Sequence, residues 1–83
     1  MSVVTKQSNL AIVDLAEGVY VKTPIPSSSH AALRSGFARY PANPRWNVSK
    51  IHAWNVGRRW RDALNQGKMI VRSADSMLVM ANG

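Results

Sequence analysis

An α+β fold, built as a β-hairpin, two helices and a second β-hairpin, is what this 83-residue sequence predicts. Three features predict it: β-branched runs towards both ends, a central stretch with the 3.6-residue period of a helix, and prolines and glycines at the junctions. The length is that of one small domain over residues 1–83. A composition that is 46% apolar and 18% charged suits a folded core better than a disordered tail. A core of this size leaves a net stability of only a few kcal/mol (roughly 5).

The first hairpin is expected over residues 10–23. Leu10-Ala11-Ile12-Val13-Asp14-Leu15 and Val19-Tyr20-Val21-Lys22-Thr23 flank Ala16-Glu17-Gly18, whose glycine suits a positive-φ turn position. Pro24-Ile25-Pro26 stops the second strand, because proline has no amide to donate to a ladder. Ser27, Ser28 and Ser29 are candidate caps for a helix over residues 29–40 that starts near His30. Its apolar face is Leu33, Gly36, Phe37 and Tyr40, and Pro41 ends it. A loop through Asn43, Pro44, Arg45 and Trp46 leads to Ser49, a candidate cap for a helix over residues 49–66, with Gly67 as its stop. The last hairpin, residues 68–80, joins Lys68-Met69-Ile70-Val71-Arg72 to Ser76-Met77-Leu78-Val79-Met80 through Ser73-Ala74-Asp75. The competing reading, a continued helix, is opposed by Gly67 and the β-branched pair Ile70-Val71. Both hairpins are expected to dock on the helices or on each other, as one four-stranded or two two-stranded sheets, because a lone hairpin is marginal in water.

Charge is the strongest functional signal. Eleven Lys and Arg against four Asp and Glu give a formal charge of +7, which favours polyanionic partners. From Lys22 to Arg61 the chain carries Lys22, Arg34, Arg39, Arg45, Lys50, Arg58, Arg59 and Arg61 with no acid between them. Every aromatic residue except Tyr20 lies in the same stretch. On a wheel of about 100° per residue, Ala53, Val56, Trp60, Ala63 and Leu64 form the core stripe of the second helix, and Trp60 reads as packing. Trp54 falls on the other side with Lys50, Arg58 and Arg61. Either it is an aromatic anchor ringed by cations or one of the hairpins covers it. The candidate binding residues are Lys50, Trp54, Arg58, Arg59, Arg61, Arg45 and Arg39. Gly57 interrupts a helix at a cost of about 1 kcal/mol relative to alanine, so close approach to Gly36 on the first helix is one explanation and chance tolerance the other.

Catalytic chemistry is difficult to assemble. The chain has no cysteine, so it offers no disulfide, thiolate nucleophile or thiolate metal site, a pattern that suits a reducing cytoplasmic setting. His30 and His52 lack the spacing of a metal motif, and no cofactor is expected. Asp14, Glu17, Asp62 and Asp75 are scattered over turns and a helix end, and Ser27 to Ser29 have no neighbouring base. A non-enzymatic protein is therefore expected. The longest apolar runs, Leu10 to Val13 and Met77 to Ala81, are far short of the roughly 18 residues of a membrane span. Met1 to Lys6 lack the charged-then-apolar layout of a secretion signal.

Ala31-Ala32 with Gly36, then Asn43-Pro44, then Ala53-Trp54-Asn55-Val56-Gly57 and Arg61-Asp62-Ala63 form a pattern of small residues, loop Asn-Pro and Trp-x-x-Gly. Over residues 30–64 this pattern resembles the ribosome modulation factor family and its small phage and plasmid relatives of CrpP type. Arg58 stands where that family places an aromatic residue directly after Trp-x-x-Gly, with Trp60 two positions later, and both hairpins lie outside the family pattern. The resemblance implies binding to ribosomal RNA and ribosome silencing, with Trp54, Arg58 and Arg61 as the contact surface. Two partner classes follow from the sequence: RNA or a ribonucleoprotein, and an acidic surface of a host protein complex inhibited by a phage or mobile-element accessory protein, for example a CRISPR effector or a polymerase. A small modifying enzyme, as proposed for CrpP-type relatives, would need a nucleotide site that the sequence does not contain.

Overall fold

A computed structural model describes residues 10–81, and the expectation for Met1 to Lys6 lies outside them. The element order is β1 (Ala11–Ala16), β2 (Val19–Thr23), a 3-10 turn (Ser27–Ser29), α1 (His30–Phe37), α2 (Val48–Asn65), β3 (Met69–Val71) and β4 (Leu78–Met80). This is the α+β arrangement expected. β1 and β2 pair antiparallel, with Val13 opposite Val21 and a register irregularity between Asp14 and Ala16. Gly18 takes the turn at φ +76°. β3 and β4 also pair antiparallel, with Ile70 opposite Val79. The two hairpins remain separate two-stranded sheets, touching at one parallel bridge between Tyr20 and Met77 where the Tyr20 amide donates to the Ser76 carbonyl at 2.8 Å.

Alternation along β1 and β2 turns Val13, Leu15, Val21 and Thr23 inward and leaves Ile12, Asp14, Tyr20 and Lys22 in solvent. The inward residues meet Ala32, Leu33 and Phe37 of α1, Ala53 of α2, and Met69 and Leu78 of the second hairpin. No buried side-chain nitrogen or oxygen among the described residues lacks a hydrogen-bond partner. No helix among them is long and apolar enough to cross a membrane.

Four local details differ from the sequence expectation. Ser27 to Ser29 do not cap α1 with their side chains; they wind a 3-10 turn whose backbone carries the chain into His30. The cap of α2 is Asn47, whose Oδ1 accepts the Lys50 amide at 2.9 Å, rather than Ser49. α1 stops at Phe37, short of the expected residue 40, because Arg39 turns left-handed at φ +68° and lets the Tyr40 amide reach back to the Ser35 carbonyl at 2.9 Å. A non-glycine residue there costs roughly 1–2 kcal/mol. The strands of the second hairpin are three residues long instead of five, since an Arg72–Asp75 ion pair at 2.7 Å and Ser76 at φ +60° organise a wide connection between them. Gly67 ends α2 as expected, at φ +80°, with the Lys68 amide on the Ala63 carbonyl at 2.8 Å.

The closest packing is between the helices. A Cβ on Gly36 would collide with the Trp54 carbonyl and lie 3.1 Å from the Arg58 amide nitrogen. One on Gly57 would collide with the Leu33 carbonyl and lie 2.8 Å from the Phe37 amide nitrogen. Each glycine is thus the site where the partner helix backbone rests, and both are required for the approach. Backbone cannot retreat as a flexible side chain can. Gly36→Ala and Gly57→Ala are each expected to lower the unfolding free energy by about 3 kcal/mol or more, beyond the usual range for overpacking, in urea denaturation. Asn55→Ala, at an exposed position of α2, should leave the midpoint unchanged or slightly raised.

Three ion pairs occur among the described residues, two joining separate elements and one, Arg72–Asp75, within the β3–β4 connection. Arg34 on α1 donates from Nη2 to the Asp14 carboxylate and from Nε to the Asp14 carbonyl, both at 2.8 Å, so it clasps the edge of β1. This hydrogen bond holds the Asp14 carboxyl below the usual carboxylate range, and Arg72 does the same for Asp75 while its own pKa is raised by that partner. Because both folded-state carboxyl pKa values are depressed, their contribution to stability is complete above about pH 4, the unfolded carboxylate value, and is lost as pH falls through the folded ones. The melting temperature should therefore be insensitive to these groups between pH 5 and 8 (roughly) and fall below about pH 4. Asp14→Asn should reduce that acid-side slope in thermal melts.

Candidate functional site

The cations predicted to bind a partner do not all share one surface. Lys50, Trp54, Arg58 and Arg61 fall within an arc of about 80° along α2 at 100° per residue. All four are half-buried, which places them on the shoulder of the helix beside α1. Trp54 is packed against the core, so the sequence expectation of an indole on the far, charged side is corrected. The buried line of α2 is Ala53 and Gly57, while Val56, Trp60, Ala63 and Leu64 are half-buried. Centring the contact on Gly57 brings Trp54 round to the α1 side. No hairpin is needed to hold it: the indole Nε1–H donates to the Tyr40 carbonyl at 2.8 Å, in the segment leaving α1.

Two guanidinium groups on this shoulder lie over aromatic rings. The Arg58 Cζ stands 5.2 Å from the Trp54 ring centroid, and the Arg61 Cζ stands 5.1 Å from that of Phe37. Such a cation–π contact holds a cation in place without neutralising it. Phe37 is buried, so Arg61 covers a core ring with its charge still outward. Lys50 follows the Asn47 cap by three residues at the start of the same shoulder.

The other three candidates stand apart from this group. Arg39 is exposed and its Nη1 donates to the Asp62 carboxylate, joining the exit of α1 to the last turns of α2. Arg45 is exposed in the loop, where its backbone amide donates to Asn43 Oδ1 at 2.9 Å. Arg59 is exposed about 100° round the helix from Arg58, facing away from α1. Two residues of the neighbourhood escaped the sequence reading. Phe37 serves as the platform for Arg61, and Tyr40, assigned by spacing to the apolar face of the first helix, is 64% exposed. The signal for Tyr40 was Pro41: a residue directly before proline is disfavoured in helical geometry and leaves the face its spacing suggests.

Catalytic groups are not assembled on this shoulder. Asp14, Asp62 and Asp75 are each held by an arginine. His30 bonds the Ile25 carbonyl at 2.8 Å through Nε2, and His52 is exposed on α2. Among the described residues there is no group of three or more His, Cys, Asp or Glu that would hold a metal ion. A groove of about 660 Å³ lies on the solvent face of the hairpins among Ile12, Tyr20, Lys22, Arg72 and Met77, and its carboxylate, Asp75, is the one paired with Arg72. The chain matches no family model, no curated protein and no solved structure.

Trp54→Phe keeps a ring under Arg58 and removes the donor to Tyr40, so it should cost about 1 kcal/mol in thermal or urea unfolding. Trp54→Ala removes the half-buried ring as well and should cost about 2–4 kcal/mol.

Proposed function

We propose that this protein is a non-enzymatic binding module that lays the α1-facing shoulder of α2 on RNA or a ribonucleoprotein. The observation that carries this reading is the distribution of partners among the cations. Among the described residues the ion pairs take Arg34, Arg39 and Arg72; Lys50, Arg58 and Arg61 have no carboxylate partner, as is also true of Lys22, Arg45, Arg59 and Lys68, but only in this row do guanidinium groups lie over aromatic rings. A fold that spends its acids on cations elsewhere and keeps this row uncompensated is suited to an external anion. Flat guanidinium groups present two surfaces that a nucleic acid uses, a charge for phosphate and a plane for a base. Phosphate repetition along a chain matches a row of cations spaced along a helix better than a single anion does. The resemblance of residues 30–64 to ribosome modulation factors points to the same class of partner.

In this reading Trp54 supports the interface from beneath by holding Arg58, and does not itself offer an open ring. Arg58→Glu is accordingly the sharper test than loss of the indole. At about 150 mM salt, binding to a fluorescently labelled RNA should weaken at least about tenfold in Arg58→Glu and far less in Lys22→Glu, a matched charge reversal on the sheet face, because exposed charges more than about 8 Å away are screened. The wild-type affinity should fall log-linearly with salt, with a slope of roughly −2 to −3.5 for three to five neutralised phosphates on a single strand. Complexes captured from a native lysate should dissolve on RNase digestion. A single protein that stays bound through digestion would replace RNA with an acidic host protein as the partner and make this an accessory inhibitor.

A further inference from the structure

The aromatic side chains divide by exposure. Phe37 is buried, Trp46, Trp54 and Trp60 are half-buried against the core, and the two tyrosines are exposed, Tyr20 at 40% and Tyr40 at 64%. Tyr20 belongs to the hairpin surface, far along the chain from the basic shoulder, whereas Tyr40 is joined to that shoulder directly. Its carbonyl accepts the Trp54 indole proton, and Arg58 lies over the same indole. Its amide donates to the Ser35 carbonyl at 2.9 Å. Pro41 follows with a ring-locked φ, and Arg39 precedes it in a left-handed conformation anchored on Asp62. Both backbone groups of Tyr40 are therefore committed while its side chain is not. A flat, amphipathic ring is held out from a fixed backbone, so only its side-chain torsions need ordering when something lands on it.

We infer that Tyr40 is the ring on which an unpaired base of single-stranded RNA stacks, while Arg58 and Lys50 meet the neighbouring phosphates. This inference rests on the RNA reading above and assigns its strand state. Trp54 is less available for the same task, because Arg58 occupies one face of its ring and Tyr40 takes its indole proton. Single-stranded RNA offers a base to an exposed aromatic side chain, and stacking on such rings is the common means by which it is held. In a duplex the bases are already stacked on one another, so duplex RNA can use the cations but not the tyrosine.

The test compares two labelled probes, a 12-nucleotide uridine-rich single strand and a 12-base-pair RNA duplex, against wild type, Tyr40→Ala, Tyr40→Phe and Arg58→Glu by fluorescence anisotropy. Tyr40→Ala should weaken single-strand binding roughly tenfold and change duplex binding less than about twofold, and Tyr40→Phe should restore the single-strand affinity. Arg58→Glu should weaken both. The exposed position of Tyr40 predicts an unchanged melting temperature in Tyr40→Ala, and circular dichroism checks that the variant is folded. Single-strand binding that is unaffected in Tyr40→Ala, or weakened equally for both probes, overturns the role of Tyr40 and leaves the RNA reading in place if Arg58→Glu still loses affinity. A wild-type protein that binds neither probe overturns both.

Discussion

Two glycines in van der Waals register with the opposite helix backbone are the constraint on which the remaining structure depends. Gly36 rests on the Trp54 carbonyl and Gly57 on the Leu33 carbonyl, so neither helix can be moved without reopening the other contact. Each glycine costs its helix about 1 kcal/mol in propensity, and the return is an approach close enough to leave Leu33 and Ala53 with no exposed surface. In a chain of 83 residues that return is essential, because the hairpins are too small to stand alone and need a rigid helical layer to cover.

The same contact builds the basic shoulder. Since the Trp54 backbone is what Gly36 touches, the indole is fixed where α1 ends, within reach of the Tyr40 carbonyl. One turn further along α2, Arg58 uses the fixed ring as a bed. Gly57, lying between them, brings Phe37 close enough for Arg61 to do likewise. Packing and charge presentation are thus one arrangement: rings that close the helix interface on their inner side hold cations in place on their outer side.

Electrostatics divides the molecule in a complementary way. The acid-free stretch from Lys22 to Arg61 has no local means of neutralising its cations, so compensation comes from outside it. Asp14 reaches Arg34 from β1 and Asp62 reaches Arg39 from the far part of α2, each a contact between elements distant in sequence. Those pairs fasten β1 to α1 and the exit of α1 to α2. Among the described residues Lys22, Arg45, Arg59 and Lys68 are also without a carboxylate partner; the row beside the helix crossing differs in that Arg58 and Arg61 lie over aromatic rings, and its charge is the property that the proposed partner would satisfy.

How far the sequence specified this protein depends on which physical signal each feature leaves. The hairpins were legible because β-branched runs flank short connections with turn residues, and the end of α2 because Gly67 acts locally, whereas the caps of both helices and the end of α1 were not. The basic, acid-poor centre and the candidate pairing of Gly36 with Gly57 could also be read directly. The orientation of α2 could not. Glycine has no hydrophobic side chain, so an apolar stripe locates the helix contact at Val56 and Trp60 although the backbones meet at Gly57. The left-handed turn at Arg39 likewise leaves no mark in composition, whereas the departure of Tyr40 from the helix face is marked by Pro41 directly after it. Sequence by itself determined the elements, their order and the sign of the charge; tertiary structure decided which rings are buried, which cations are paired and which side of α2 faces outward, since those follow from distances between segments that only folding brings together.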